Sequence, residues 1–158
     1  MHKIMFVCHG NICRSPMAEF VMKKLVKDRG LENEFYIASS ATHTDEIWNG
    51  VGSEIYPPAK EELFKNHIPF DKTKRATLLE KSDYEKYDLF VCMDEENIRS
   101  MNRIFGSDND KKCVKLLAFT SSSRNVSDPW YTRDFGRAYN DIFAGCTALL
   151  KKLTEGNI

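Results

Sequence analysis

Four short apolar runs, Ile4–Val7, Phe35–Ser39, Leu89–Met93 and Val114–Leu117, recur along this chain with amphipathic stretches between them. Runs of that length, bounded by polar segments, have the signature of buried strands. The first intervening stretch carries Met17, Val21 and Leu25 at helical spacing, flanked by Ala18 and Met22, and Gly30 supplies a stop. Ala59 to Asn66 and Glu95 to Phe105 predict two shorter helices. A last helix is predicted from about Thr132 to Leu153, with Phe135, Tyr139, Ile142, Cys146 and Leu149 on one stripe. Strand–helix alternation predicts an α/β fold, a doubly wound sheet of about four parallel strands with helices on both faces. Ligands of such sheets lie beyond the carboxyl ends of the strands. That rule points to the residue after Val7.

No repeat or long Pro/Gly/Ser linker divides the chain, and Ser121-Ser122-Ser123 reads as a loop, so one domain over residues 1–158 is expected. A domain of this size buries about 70% of its unfolded surface and needs neither disulfides nor a metal to hold its core. Formal net charge is +0, so no overall field favours nucleic acid or an anionic membrane as partner. Any bound anion must be caught locally. The N-terminal residues lack a signal-peptide apolar region, and no run approaches the ~18 apolar residues of a membrane span. The five cysteines, Cys8, Cys13, Cys92, Cys113 and Cys146, form no disulfide framework. A reduced, cytoplasmic protein is expected, a monomer with no nucleic-acid or membrane partner. The scattered histidines and the absence of C-x-x-C spacing predict no metal, and no cofactor is expected.

The residue after Val7 is Cys8, which opens Cys8-His9-Gly10-Asn11-Ile12-Cys13-Arg14-Ser15-Pro16 between the first strand and the first helix. Ser15 suits an N-cap and Pro16 the first helical position. Residues 9 to 14 can then curl so that backbone N–H groups converge, making a nest for a tetrahedral oxyanion such as phosphate. Only one glycine is present and no Gly-Lys-Ser/Thr, which excludes a nucleotide P-loop. At the base of such a nest, N–H dipoles and one guanidinium favour Cys8 as thiolate, aimed at phosphorus. Arg14 can fork onto two phosphate oxygens as lysine cannot. Alone, Cys8 reads as a small buried hydrophobe and Arg14 as a solvated side chain. Their spacing across a strand-to-helix turn makes them a phosphate-binding pair, with His9, Gly10, Asn11, Ile12, Cys13 and Ser15 completing the loop.

Val7 through Glu19 resembles the signature of the low-molecular-weight protein-tyrosine phosphatases. Asp128-Pro129-Trp130-Tyr131 is similar to that family's second motif, and Ser39-Ser40-Ala41-Thr42, Trp48-Asn49, Pro58-Ala59 and Cys92-Met93-Asp94 fall in family order between them. The resemblance implies hydrolysis of phosphotyrosine proteins or small aryl phosphates through a cysteinyl-phosphate on Cys8, with Arg14 as clamp. It implies that Asn11 and Ser15 bond within the loop, that the Ser15 hydroxyl favours Cys8 as a leaving thiolate, and that Ser39 holds Asn11. Trp48, Trp130 and Tyr131 would flank the cleft and pack on the substrate ring. Three positions depart from the family. His9 stands where an apolar residue is usual, Tyr56 where Asp often precedes Pro, and Lys72 where many members carry His.

Proton donation to the leaving oxygen needs a carboxylic acid across phosphorus from the thiolate. By itself Asp128-Pro129 reads as a turn; beside the Cys8 loop it reads as general acid in the first step and base in the second. Cys13, inside the loop, is a candidate to trap an oxidised Cys8 as a disulfide. The alternative enzyme reading is a thiol-dependent arsenate reductase, which needs two further cysteines close together on a flexible segment. A phosphocysteine carrier needs no clamping arginine, and a sensor needs no acid.

Overall fold

Strand β1 (His2–Cys8) is buried from Ile4 to Cys8 because it is covered on both edges and both faces. It pairs in parallel with β2 (Phe35–Ala41) on one side and β5 (Leu89–Cys92) on the other, and β6 (Cys113–Lys115) extends the sheet beyond β5. A parallel strand enclosed in this way is apolar throughout, and Ile4-Met5-Phe6-Val7 is. The computed structural model describes residues 1–155.

Alternation along β1 assigns its side chains to two cores. Ile4 and Phe6 face helices α1 (Arg14–Asp28), α2 (Pro57–Lys65) and α5 (Phe135–Thr154), packing with Met17, Val21, Leu63, Ile142, Cys146 and Leu149. Met5 and Val7 face the other way, toward Phe90, Cys92, and Met101 and Phe105 of α3 (Glu95–Phe105). Each large apolar side chain buried contributes about 1.5–3 kcal/mol before conformational entropy is counted. Gly145 of α5 admits Leu116 against the helix, since a Cβ there would collide with the leucine side chain. The expected α/β sheet of four parallel strands with helices on both faces is therefore present.

Several expected boundaries are corrected. The first helix begins at Arg14 and its cap position is Cys13, so Ser15 is not an N-cap and Pro16 is not the first helical residue. The run at 114–117 divides into β6 and a 3₁₀ turn over Leu116–Phe119. The last helix does not start at Thr132. Arg133 takes a left-handed φ of 61°, which separates the short α4 (Pro129–Thr132) from α5, and the Asp134 carboxylate caps α5 by accepting from the Arg137 N–H. A hairpin of β3 (Ile47–Trp48) and β4 (Val51–Gly52) adds a second, two-stranded sheet that the apolar runs do not predict. Its two-residue strands are too short for a period, but the Asn49-Gly50 turn, with φ of 50° and 79°, is a hairpin signal. Among the described residues no helix is long and apolar enough to cross a membrane.

Candidate active site

The chain leaves β1 at Cys8, buried at the carboxyl edge of the sheet, and turns through residues 9–13 into α1. The turn depends on Asn11, whose φ of 58° lies in the left-handed region that asparagine tolerates better than most residues. Its side chain holds that conformation. The Asn11 Nδ2 donates to Ser15 Oγ (2.8 Å) and Ser39 Oγ (3.0 Å), and its Oδ1 accepts from the Thr77 N–H (3.0 Å).

The loop carbonyls are turned away from the centre of the curl. Cys8 O accepts from Thr42 N–H (3.0 Å), His9 O from His43 N–H (3.1 Å), Ile12 O from Tyr56 N–H (2.8 Å), and Cys13 O from Met17 N–H (3.1 Å). A trans peptide places its N–H opposite its C=O, so the N–H edges of His9, Gly10, Cys13 and Arg14 face away from those outward ties. The Asn11 N–H points at Cys8 Sγ (3.3 Å), and the Ser15 hydroxyl lies 3.1 Å from the same sulfur. Released from capping, Ser15 is thus available to the thiol, and Asn11 joins it to Ser39.

Arg14 is buried at the mouth of the loop. Its guanidinium donates to Asp94 Oδ2 (2.9 Å), to the Val126 carbonyl (3.0 Å) and to Asp128 Oδ2 (3.4 Å). Burial would lower its pKa, but the charges of Cys8, Asp128 and Asp94 outweigh it and raise the pKa above the ordinary arginine value. Arg14 is therefore a fixed cation. Asp94 ends the β5 loop and caps α3 by accepting from Asn97 N–H (2.9 Å), so one carboxylate anchors a helix and aims the guanidinium. The sequence carried a signal for this residue, Cys92-Met93-Asp94 before a helix, but the pairing spans 80 positions.

Asp128 reaches the site from the C-terminal third of the chain. Its Oδ1 accepts from the Trp130 N–H (3.0 Å), which orients the carboxylate at the start of α4. Cys8, Arg14 and Asp128 line one cleft of about 340 Å³ with the rest of the loop from His9 to Cys13. One wall is aromatic: Tyr56, Trp130, Tyr131 and Phe135, with Tyr56 5.5 Å from Trp130 and 6.0 Å from Phe135 between ring centres. Trp48 is not on this wall; it projects from the β3–β4 hairpin with 74% of its surface exposed. Tyr56 and Phe135 take that place, the first a departure from the family pattern and the second read from the sequence as core.

His9 lines the cleft beside Asp45 and Glu96. Its ring bonds Asp45 Oδ2 (2.8 Å), lies 3.5 Å from Glu96 Oε1 and stacks on His43 at 4.1 Å. The departure at position 9 thus ties the loop to its neighbours. Cys13 shares the cleft. Burial first, then the charge of Cys8, push its pKa far up, with Arg14 opposing, which keeps it a neutral thiol. Cys92 and Cys146 are fully buried core residues. Lys72 is exposed, whereas Lys74, two residues on, enters behind the loop. Among the described residues no three His, Cys, Asp or Glu side chains converge as a metal-ligand set.

This chain matches the family model described as low molecular weight phosphotyrosine protein phosphatase over residues 3–157. It is 36% identical to the low molecular weight phosphotyrosine protein phosphatase of Gallus gallus, with 94% of each chain covered. It is 33% identical to the low molecular weight protein-tyrosine-phosphatase YfkJ of Bacillus subtilis, covering 98% of this chain and 97% of that one. The crystal structure of YfkJ superposes with a TM-score of 0.92 at 31% identity, covering 100% of this chain and 98% of the other. A further structure, a mutant of the arginine phosphatase YwlE with a phosphorylated active-site serine, has a TM-score of 0.81 at 26% identity over 96% of this chain and 95% of that one.

Proposed function

Because this chain belongs to the low molecular weight phosphotyrosine protein phosphatases, and is by that membership a phosphoric monoester hydrolase, we propose that it cleaves aryl phosphates through a cysteinyl-phosphate on Cys8. One observation carries the reading: Cys8, the buried Arg14 and Asp128, 114 positions beyond Arg14, meet in one cleft, with Arg14 bonded to Asp128. The inward N–H edges of the loop and the Arg14 fork seat the phosphate. Cys8 Sγ attacks phosphorus; as the S–P bond forms, the P–O bond to the aryl group breaks and Asp128 gives the leaving oxygen its proton. Phosphate binding draws Arg14 donors from Asp128 Oδ2, which then faces the leaving group. Water attacks the phosphocysteine next, Asp128 accepts its proton, and the Ser15 hydroxyl stabilises the departing Cys8 thiolate. The aromatic wall favours a flat aryl group over an alkyl phosphate, since stacking adds about 0.5–1.5 kcal/mol beyond burial. A phosphorylated side chain at the active site of YwlE agrees with a covalent route in a neighbour of this fold.

Incubation with phenyl phosphate or a phosphotyrosine peptide is expected to release inorganic phosphate without added thiol substrate. Thiol-dependent conversion of arsenate to arsenite, with no phosphate release, would instead establish the reductase reading.

The same reading gives Cys13 a redox part. A sulfenic acid formed on Cys8 by peroxide condenses with the Cys13 thiol, forming the S–S bond and releasing water. Mild peroxide is therefore expected to inactivate wild type reversibly and Cys13→Ser irreversibly, measured as activity regained after dithiothreitol. Full recovery of Cys13→Ser would remove the role.

A further inference from the structure

Behind the phosphate loop, on the side away from the cleft, lies a charged group that the mechanism above does not use. Glu19 of α1 is only 5% exposed, and its Oε1 accepts the Ser39 hydroxyl proton at 2.6 Å. Ser39 accepts from Asn11, Asn11 donates to Ser15, and Ser15 touches Cys8 Sγ. Glu19 thus orients the chain of groups that ends at the nucleophile. A buried carboxylate in that place also opposes a thiolate, because like charges near one another disfavour ionisation.

Lys74 meets both facts. It donates from Nζ to the Ser39 carbonyl (3.0 Å) and lies 3.9 Å from Glu19 Oε1, with 15% of its side chain exposed. Burial lowers its pKa, and Glu19 and Cys8 oppose the fall. Lys23, one turn along α1, bonds the other Glu19 oxygen at 2.7 Å from a more exposed position.

We propose that Lys74 is a positioning residue for the Cys8 nucleophile: its ammonium group offsets the buried Glu19 carboxylate, so that Glu19 can order Ser39 and Asn11 without destabilising the Cys8 thiolate. The inference rests on Cys8 being the nucleophile. The charged and titratable groups around Cys8 and Lys74 are Arg14, Cys13, His9, Asp94 and Asp128 on the cleft side, and Glu19, Lys23 and Asp71 on the side of Lys74; of the two lysines beside Glu19, Lys74 is the one that also grips the strand carrying Ser39.

The test is the pH dependence of Cys8 alkylation by iodoacetamide, a neutral reagent, followed at the Cys8 peptide by mass spectrometry. Lys74→Gln keeps a donor for the Ser39 carbonyl but removes the charge. Its midpoint is expected to rise by about one pH unit, a tenfold loss of thiolate below the midpoint. Lys74→Arg should stay near wild type, and the Glu19→Gln Lys74→Gln double variant, which buries neither charge, should return toward it. An unchanged midpoint in folded Lys74→Gln overturns the proposal, because loss of packing alone lowers Tm without moving this midpoint. Should Lys74→Gln fail to fold, Glu19→Gln and the double variant decide: the single variant must have the lower midpoint, and equal midpoints overturn the proposal. Retained turnover in Cys8→Ser would mean that the phosphatase mechanism itself is wrong, a failure distinct from an unmoved midpoint.

Discussion

Cys8→Ser is expected to abolish hydrolysis of phenyl phosphate while leaving vanadate or phosphate binding measurable. Loss of a covalent nucleophile costs on the order of 10⁶-fold in turnover. Nothing nearby replaces it, because Cys13 is held as a neutral thiol and the Ser15 hydroxyl is committed to Asn11 and Cys8. Oxyanion binding should survive because it belongs to the backbone and Arg14. The loop carbonyls remain tied to Thr42, His43, Tyr56 and Met17, and the Arg14 guanidinium remains anchored by Asp94 and Val126. Isothermal titration with vanadate beside a steady-state assay separates the two properties. Substantial turnover in Cys8→Ser would sink the mechanism, and loss of vanadate binding with the fold intact would mean that the sulfur, not the loop, holds the anion.

Asp128→Ala is expected to slow phenyl phosphate hydrolysis by about 10²–10⁴-fold, the ordinary worth of a positioned general acid. The loss should depend on the leaving group. A nitrophenolate departs with little help, so the burst that forms cysteinyl-phosphate should suffer much less with nitrophenyl phosphate than with phenyl phosphate. Two other consequences are expected to be smaller. Asp128 caps the short α4 through the Trp130 N–H, so its loss costs about 1 kcal/mol of local stability. Arg14 loses one of three partners but keeps Asp94 and Val126, so the clamp stays aimed. Pre-steady-state bursts with both substrates make the measurement, since the second step also uses Asp128. Equal losses for the two would reduce Asp128 to a cap that shapes its loop.

Both residues are candidates already in the sequence, though for different reasons. Cys8 and Arg14 lie within one contiguous turn where a strand must end and a helix begin, so peptide dipoles can converge there, although the ties to Thr42, His43, Tyr56 and Thr77 that hold them so come from elsewhere in the fold. Asp128-Pro129, which alone reads as a turn, becomes a candidate acid only beside the Cys8 loop and through its resemblance to the family's second motif. The four strands were legible because a strand enclosed in a parallel sheet must be apolar along its length.

Tertiary structure alone decided how the site is completed. No period or motif places Glu19, Ser39 and Lys74 in one network, since the pairs lie 20 and 35 positions apart and their side chains are ordinary surface types in isolation. The aromatic wall shows the same limit. Trp48 has the composition of a pocket residue, but the tight Asn49-Gly50 turn carries it outward. Tyr56 and Phe135 reach the cleft instead, the latter because the left-handed Arg133 breaks the last helix just before it. Ser15 follows from geometry as well: once α1 starts two residues earlier than the capping preference predicts, its hydroxyl is no longer bound to a helix end and turns to the sulfur of Cys8. A contiguous stretch of chain determines which chemistry is available; which distant groups orient and neutralise it depends on how the sheet brings strand ends together, and that is a property of the whole fold.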